Sequence, residues 1–273
     1  MIYQEIPAAR KRQVIKKLHE IETRHKVKIL YAVEAGSRAS GTACEESDYD
    51  IRFIYTQTPA AYLSISKTSD TITFIEKDLD FQGWDLKKAL CLMKECNFNL
   101  LEWLNSPHIY IAKGGYYSWS KKFANNFYSP TSGIYAYRNT ARSTHINEFN
   151  KVPTQKSYLR MIQSLLKERW VTQHRTAPPV NIQDVLFLFT EEEQEVAKAL
   201  GTLLQNRIAS TQTEDKIFLL LNNFIKTELD KPLALPGVRK DDALLKEEAK
   251  EALINEYFLE TLERVYSLQW NSN

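Results

Sequence analysis

The stretch GSRASGTACEESDYDIRF, residues Gly36–Phe53, points to the fold class of this chain. It begins with a Gly-Ser pair in a polar segment and ends with two aspartates, Asp48 and Asp50, at the start of an apolar run. One interpretation is an ordinary turn that leads into a strand, because Ser and Asp before a strand often bond nearby backbone. The other is a loop that cradles phosphate, followed by a carboxylate pair that binds metal. The flanking sequence favours the second interpretation.

Apolar runs on both sides of this stretch predict the strands of a sheet. VKILYAVEA, residues 27–35, is rich in β-branched and aromatic residues on both alternating faces, which is typical of a strand buried inside a sheet. YDIRFIYT, residues 49–56, predicts a second strand, and DTITFIEKDLDFQGW, residues 70–84, predicts a third. Residues 7–26 carry apolar side chains at steps of three and four, so an amphipathic helix is expected before the first strand.

Helical periodicity dominates the remainder of the chain. Residues 85–106 predict a helix that CNFN, residues 96–99, interrupts. Beyond about residue 110, the clearest helical segments are 158–174, 191–208, 213–229 and 241–268. We therefore predict an α+β fold in two domains. A mixed sheet with flanking helices occupies residues 1–110, and a mostly helical domain occupies residues 111–273.

Composition limits the classes of function. The chain has 273 residues, of which 43% are hydrophobic and 26% charged, as in ordinary globular proteins. Its apolar runs are too short to cross a bilayer and its N-terminus lacks a secretory signal, so we expect a cytoplasmic protein with no membrane partner. The net charge of +2 does not by itself indicate a nucleic-acid partner. Its three cysteines and five histidines lack zinc-binding spacing, so any bound metal is expected to have oxygen ligands.

The paired aspartates provide the main chemical argument. Because side chains alternate across a strand, Asp48 and Asp50 are expected to project from one face, roughly 7 Å apart at the backbone. Carboxylates this close repel unless they are solvated or share a cation, and Mg²⁺ or Mn²⁺ takes such ligands together with substrate phosphates. In the third predicted strand, Asp78 and Asp80 lie on one face, and either could be brought beside the pair. Three such carboxylates suit two-metal phosphoryl transfer.

Gly36 and Ser37 suit the same chemistry. A glycine where a strand meets a loop or helix lets backbone N–H groups approach phosphate oxygens, and Ser37 and Arg38 add hydrogen-bond donors. A Gly-Ser pair alone is weak evidence for a phosphate site. Its weight comes from the carboxylates that follow it in the sequence.

Together these features resemble a known family. Gly36-Ser37, followed eleven residues later by DYD (Asp48–Asp50) and then by an acidic strand, is similar to the head of DNA polymerase β type nucleotidyltransferases. More narrowly, GSRASG, SDYDIRFIY, DFQGWDLKKAL and NLLEWLNSPHIY resemble the predicted bacterial nucleotidyltransferases of the YcgL type, which are related to proteins of RNA-repair gene clusters. The resemblance covers residues 1–110 almost completely. Beyond them it is thinner, with KSYLR (156–160) and APP (177–179) as matches.

The resemblance implies a site in residues 1–110, which would be the catalytic domain. Asp48 and Asp50 would bind both metals and Asp80 would supply the third catalytic, metal-binding carboxylate, with Asp78 in reserve. The candidate nucleotide contacts are Gly36, Ser37, Arg38, Ser47, Lys87, Lys156 and Arg160. This chain departs from the pattern at Glu45 and Glu46, which add negative charge beside the site and are expected to face solvent.

The function that the resemblance implies is metal-dependent nucleotidyl transfer. A nucleoside monophosphate would pass from an NTP to an acceptor hydroxyl, with release of pyrophosphate. Residues 111–273 would bind the acceptor, which the sequence leaves open between RNA (a 3′ end, or a tRNA), a small molecule and a protein. The alternative is a non-catalytic nucleotide-binding module of the same fold, regulatory or antitoxin-like. The preferred NTP and the oligomeric state also stay open.

Overall fold

Two compact units make up the chain, and their segments alternate along the sequence. The computed structural model describes residues 5–66, 68–113, 124–149, 153–235 and 247–267. The head comprises the described residues of 4–36, 48–127 and 243–273, and the tail comprises those of 37–47 and 128–242. These compact units have other boundaries than the two predicted domains. The division of functions at residue 110 stays a prediction.

A five-stranded mixed sheet forms the centre of the head. Its strands are β1 (Lys28–Glu34), β2 (Tyr49–Thr56), β3 (Thr71–Glu76), β4 (Leu79–Asp85) and β5 (Ile109–Ala112). The strand order is β3-β4-β2-β1-β5. β2 and β4 run parallel, whereas β3–β4, β2–β1 and β1–β5 are antiparallel. The predicted α+β fold with a mixed sheet is confirmed.

The two central strands follow their apolar patterns. β1 is buried at every position after Lys28, in line with its apolar sequence. At the start of β2 burial alternates, so that Tyr49, Ile51 and Phe53 pack into the core while the side chains between them stay partly exposed. This alternation turns Asp50 away from the core and towards the face where the site forms.

The third predicted strand is wrong as a single strand, because residues 70–84 form a hairpin. β3 and β4 pair antiparallel around a tight turn at Lys77 and Asp78, and Lys77 takes a left-handed backbone conformation with φ of 58°. No Gly or Pro marks this turn, so the sequence carried no strong signal for it. The predicted common face of Asp78 and Asp80 is therefore also wrong, since Asp78 lies in the turn and Asp80 lies in β4.

Helices of the head cover the sheet. α1 (Ala8–His25) buries Val14, Leu18 and Ile21. The short α2 (Gly36–Ser40) begins at the last residue of a head segment, and its other residues belong to the tail segment 37–47. In the head, α3 (Pro59–Tyr62) is also short, and α4 (Leu86–Lys94) and α5 (Phe98–Leu104) form the interrupted helix predicted from the sequence. Asn97 separates α4 from α5, and its side chain accepts a hydrogen bond from the Leu100 N–H as the N-cap of α5. Ion pairs from Arg10 to Asp78 and from Lys17 to Glu76 link α1 to the β3–β4 hairpin.

The tail is helical. It contains α6 (Pro130–Phe149), α7 (Gln155–His174), α8 (Gln194–Ile208) and α9 (Asp215–Asp230), whose apolar side chains share one core. A last helix, α10 (Glu247–Tyr266), belongs to the head, where Glu247 and Glu251 pair with Lys94 of α4. The predicted C-terminal helices are thus confirmed, although residues 241–246 and 268 of the last one lie outside the described residues. None of the helices in the described part of the chain combines the length and apolar character needed to cross a membrane.

Candidate active site

Two aspartates from different strands lie side by side at one end of the parallel pair. In the register of β2 and β4, Asp50 is the direct partner of Asp80. Both side chains are partly exposed, at 27% for Asp50 and 32% for Asp80. Residues that are direct partners on neighbouring strands project from the same face, so the two carboxylates converge although thirty positions separate them in the sequence.

Arg52 lies between these carboxylates. Its Nη2 donates to Asp50 Oδ1 at 2.7 Å and to Asp80 Oδ2 at 2.8 Å. Its Nη1 also donates to the backbone carbonyl of Asp80 at 3.0 Å. Sequence analysis missed this residue, although the alternation of β2 places Arg52 on the same face as Asp50 and therefore contained a usable signal.

Gly36 lies directly against Asp50. A Cβ at this position would lie 1.9 Å from Asp50 Oδ2, and the backbone φ of 57° is one that side chains with a Cβ rarely adopt. The preceding N–H, that of Ala35, donates to the backbone carbonyl of Asp50 at 2.8 Å. A glycine is thus required here by close approach as well as by backbone conformation, and its absent side chain leaves room for the Asp50 carboxylate.

A buried glutamate behind the pair was also missed. Glu34 is fully buried at the end of β1, where its Oε1 accepts the Asp50 N–H at 2.8 Å and its Oε2 accepts the Tyr110 hydroxyl at 2.6 Å. The contact with the Asp50 backbone fixes the start of β2. The available signal was a carboxylate near the end of the apolar run 27–35, since buried carboxylates are held by specific partners.

The other two predicted carboxylates have different surroundings. Asp48 is exposed and directly precedes β2. Asp78 lies in the hairpin turn, where its carboxylate pairs with Arg10 at 2.7 Å. Of the two candidates for the third carboxylate, Asp80 is therefore the one placed beside Asp50. Glu45 and Glu46 are exposed, as expected.

The donor set suits a hard divalent cation. Asp50 and Asp80 direct one oxygen each to a single positively charged nitrogen, so the same oxygens are oriented to share a cation. Within the described residues, however, no group of three or more His, Cys, Asp or Glu side chains is arranged to hold a metal ion. The carboxylates that converge are therefore those of Asp50 and Asp80. Asp48 lies two positions before Asp50 in the sequence.

The predicted contacts Ser37, Arg38 and Ser47 fall in the segment 37–47 of the tail. Arg38 Nη2 donates to the backbone carbonyl of Ser47 at 2.6 Å, which closes this segment on itself. Arg207 of α8 donates to the carbonyl of Thr42 at 3.2 Å. The segment is therefore held by the tail, while its chain neighbours Gly36 and Asp48 belong to the head.

The predicted basic contacts lie elsewhere. Lys87 lies in α4, two residues beyond the end of β4, and that end is roughly 16 Å along the strand from Asp80. Its N–H donates to Asp85, whose carboxylate also accepts the Tyr62 hydroxyl at 2.6 Å and whose pKa is raised by burial. Lys156 and Arg160 are exposed on α7 of the tail. The structure thus groups Gly36, Asp50 and Asp80 but does not group Lys87 with them.

The pairing of Asp50 with Asp80 across two parallel strands of a mixed sheet brings together two of the three carboxylates that the resemblance to DNA polymerase β type nucleotidyltransferases implied. The family described as "RlaP: RNA repair pathway DNA polymerase beta family" matches residues 10–260, and the chain belongs to this family. The family resemblance inferred from the sequence is confirmed.

Individual proteins are also similar to this chain. "Uncharacterized protein YcgL" of Bacillus subtilis (strain 168) is 32% identical over 259 residues, which cover 94% of this chain and 98% of that protein. A crystal structure of a nucleotidyltransferase-like protein from Exiguobacterium sibiricum 255-15 matches with a TM-score of 0.30 and 13% identity, covering 93% of this chain and 90% of the other.

Proposed function

We propose that this protein is a metal-dependent nucleotidyltransferase that transfers a nucleoside monophosphate from an NTP to an RNA hydroxyl, at a 3′ end. The observation that carries the proposal is the convergence of Asp50 and Asp80 on one cationic nitrogen beside Gly36. Membership of an RNA repair family favours RNA over a small molecule or a protein as the acceptor.

In this proposal the acceptor hydroxyl oxygen attacks the α-phosphorus of the NTP. The bond from that phosphorus to the bridging oxygen breaks, pyrophosphate leaves and the hydroxyl proton is lost to solvent. Asp50 and Asp80, with Asp48, would hold Mg²⁺ or Mn²⁺, which supplies charge neutralisation for the phosphates and a lowered pKa for the hydroxyl. Positioning of the reactants by the chain provides the rest of the acceleration.

The remaining predicted contacts have supporting roles in the proposal. Gly36 makes room for the Asp50 carboxylate, and the donors of Ser37, Arg38 and Ser47 would serve the nucleotide phosphates. The tail would bind the acceptor, with Lys156 and Arg160 as exposed cations for the RNA backbone.

The experiment is incubation of the protein with each α-labelled NTP, Mg²⁺ or Mn²⁺ and total RNA. We expect label in RNA, and we expect Asp50→Asn and Asp80→Asn each to reduce labelling by at least about a hundredfold, because electrostatic stabilisation of the transition state is lost. Asp78→Asn is the matched control, since Asp78 is ion-paired to Arg10 on the same hairpin as Asp80, and its labelling should stay within about threefold of the wild type.

Circular dichroism and melting temperature must show that all three variants are folded. Labelling that survives both Asp50→Asn and Asp80→Asn would contradict the proposed site. Label found in protein or in a small molecule would contradict the acceptor, and NTP binding with no transfer would support the non-catalytic module instead.

A further inference from the structure

The Asp50–Asp80 pair already has a cationic partner, Arg52 of β2. The Arg52 guanidinium is held by both carboxylates through Nη2 and by two backbone carbonyls, those of Ile51 and Asp80, through Nη1. Its side chain is only 14% exposed. Arg52 thus contacts both β2 and β4 at the point where their carboxylates meet.

A divalent ion and this guanidinium require the same oxygens. Mg²⁺ binds carboxylate oxygens at roughly 2.1 Å in a strict octahedral arrangement. An ion bound by Asp50 Oδ1 and Asp80 Oδ2 would therefore come within a few ångström of Arg52 Nη2, which lies 2.7 Å and 2.8 Å from these atoms. Arginine cannot relieve the repulsion by losing a proton, because its guanidinium remains charged in proteins.

We propose that Arg52 is a positioning residue that acts as a built-in counter-cation, which holds Asp50 and Asp80 together in the metal-free protein and is displaced from them by a divalent ion. The inference rests on the proposed function for the identity of the competing ion. In this inference Arg52 lowers the affinity of the site for divalent ions. The ion takes the place of the guanidinium only when its concentration is high enough to compete.

The inference separates two effects of Arg52 that have opposite signs. Without metal, loss of the guanidinium leaves two carboxylates facing each other and lowers stability. With metal, the same loss removes a competitor and tightens binding. A neighbouring full charge changes the proton affinity of a carboxylate by about 10- to 1,000-fold, and we expect an effect of at least about tenfold on the affinity for Mn²⁺.

The test is calorimetric titration of Mn²⁺, without nucleotide, into the wild type, Arg52→Met and Arg52→Lys, with melting temperatures measured in EDTA and in excess Mn²⁺. For Arg52→Met we expect a lower melting temperature in EDTA, at least about tenfold tighter Mn²⁺ binding and a larger stabilisation by Mn²⁺ than in the wild type. Arg52→Lys retains the charge and should bind Mn²⁺ within about threefold of the wild type.

Arg10→Met is the matched control, because it removes one guanidinium from the same unit by the same substitution but breaks the pair with Asp78 instead. It should leave the Mn²⁺ affinity unchanged. If Arg52→Met does not fold, Arg52→Gln carries the same comparison, since its amide is neutral and keeps a donor.

The outcomes distinguish this inference from the proposed function. Wild-type binding of Mn²⁺ with unchanged or weaker binding by the neutral Arg52 variants would overturn the inference alone. A lack of Mn²⁺ binding in the wild type and in every variant would overturn the metal site of the proposed function and, with it, the inference.

Discussion

The head and the tail both hold carboxylates against arginine, but their geometry differs. In the head, one nitrogen of Arg52 serves Asp50 and Asp80 from two strands, and both carboxylates are partly exposed. In the tail, Arg138 of α6 uses two nitrogens to bond both oxygens of Glu168 of α7, at 2.6 Å and 2.7 Å, and both side chains are almost fully buried.

A second tail arginine repeats the paired geometry. Arg169 donates to both oxygens of Glu193, at 2.6 Å and 2.7 Å, and pairs with Glu228 of α9 at 2.8 Å. Bidentate pairs of this kind fix side chains on different helices relative to one another. The tail pairs therefore serve the fold, whereas the partly exposed head cluster, with two carboxylates on one nitrogen, is open to exchange of its cation.

The largest effect on stability is expected for the buried ion pair of Arg138 and Glu168. Arg138→Met leaves the Glu168 carboxylate buried without its counter-ion, and we expect the free energy of unfolding to fall by about 3–5 kcal/mol, measured by urea denaturation. Arg52→Met should cost clearly less, because water reaches Asp50 and Asp80. The double variant Arg138→Met/Glu168→Gln should recover part of the loss, and equal losses for the head and tail single variants would refute the contrast.

A medium effect is expected at the glycine beside the head cluster. Gly36→Ala should lower the free energy of unfolding by about 2 kcal/mol and reduce transfer to RNA, because its Cβ requires both a strained backbone and a shift of Asp50. Gly201→Ala in α8 is the control. Nothing lies within 4 Å of its Cβ position, so this helical substitution should be neutral or stabilising. Full activity and stability of Gly36→Ala would show that Asp50 moves freely.

The smallest effect concerns pH and the tail. The hydrogen bonds from Arg169 lower the pKa of Glu193 from 4.5 to about 2. Because the folded-state pKa is depressed, the stabilisation is fully present above about pH 4.5 and is lost as the pH falls towards 2. Glu193→Gln should therefore unfold at lower urea than the wild type at pH 6, and the difference should shrink by pH 3.

A matched exposed carboxylate provides the comparison for this pH series. Glu195 pairs on the surface with Lys198, and Glu195→Gln should change the urea midpoint little at any of these pH values. A wild-type-to-Glu193→Gln difference that is constant from pH 6 to pH 3 would contradict the assignment of the acid sensitivity to Glu193.

Local sequence patterns predicted strands and helices well where the strand or helix is apolar on one face or on both. β1, β2 and the tail helices follow from burial alternation and helical periodicity, because those patterns report which side chains leave water. The hairpin at Lys77 and Asp78 did not follow from them, since a lysine in a left-handed conformation gives no turn signal. The segment 37–47 likewise gave no sign that it packs with the tail, because that packing depends on distant residues such as Arg207.

The sequence alone determined the fold class and the family resemblance, and it singled out Gly36 and Asp50 as candidate site residues. Tertiary structure decided that Asp80 and not Asp78 meets Asp50, that Arg52 and Glu34 take part in the site, and that Lys87 lies at the other end of β4. The physical reason is the range of each constraint. Alternation and helical period act between near neighbours, whereas the register of two parallel strands is set by burial across the whole sheet.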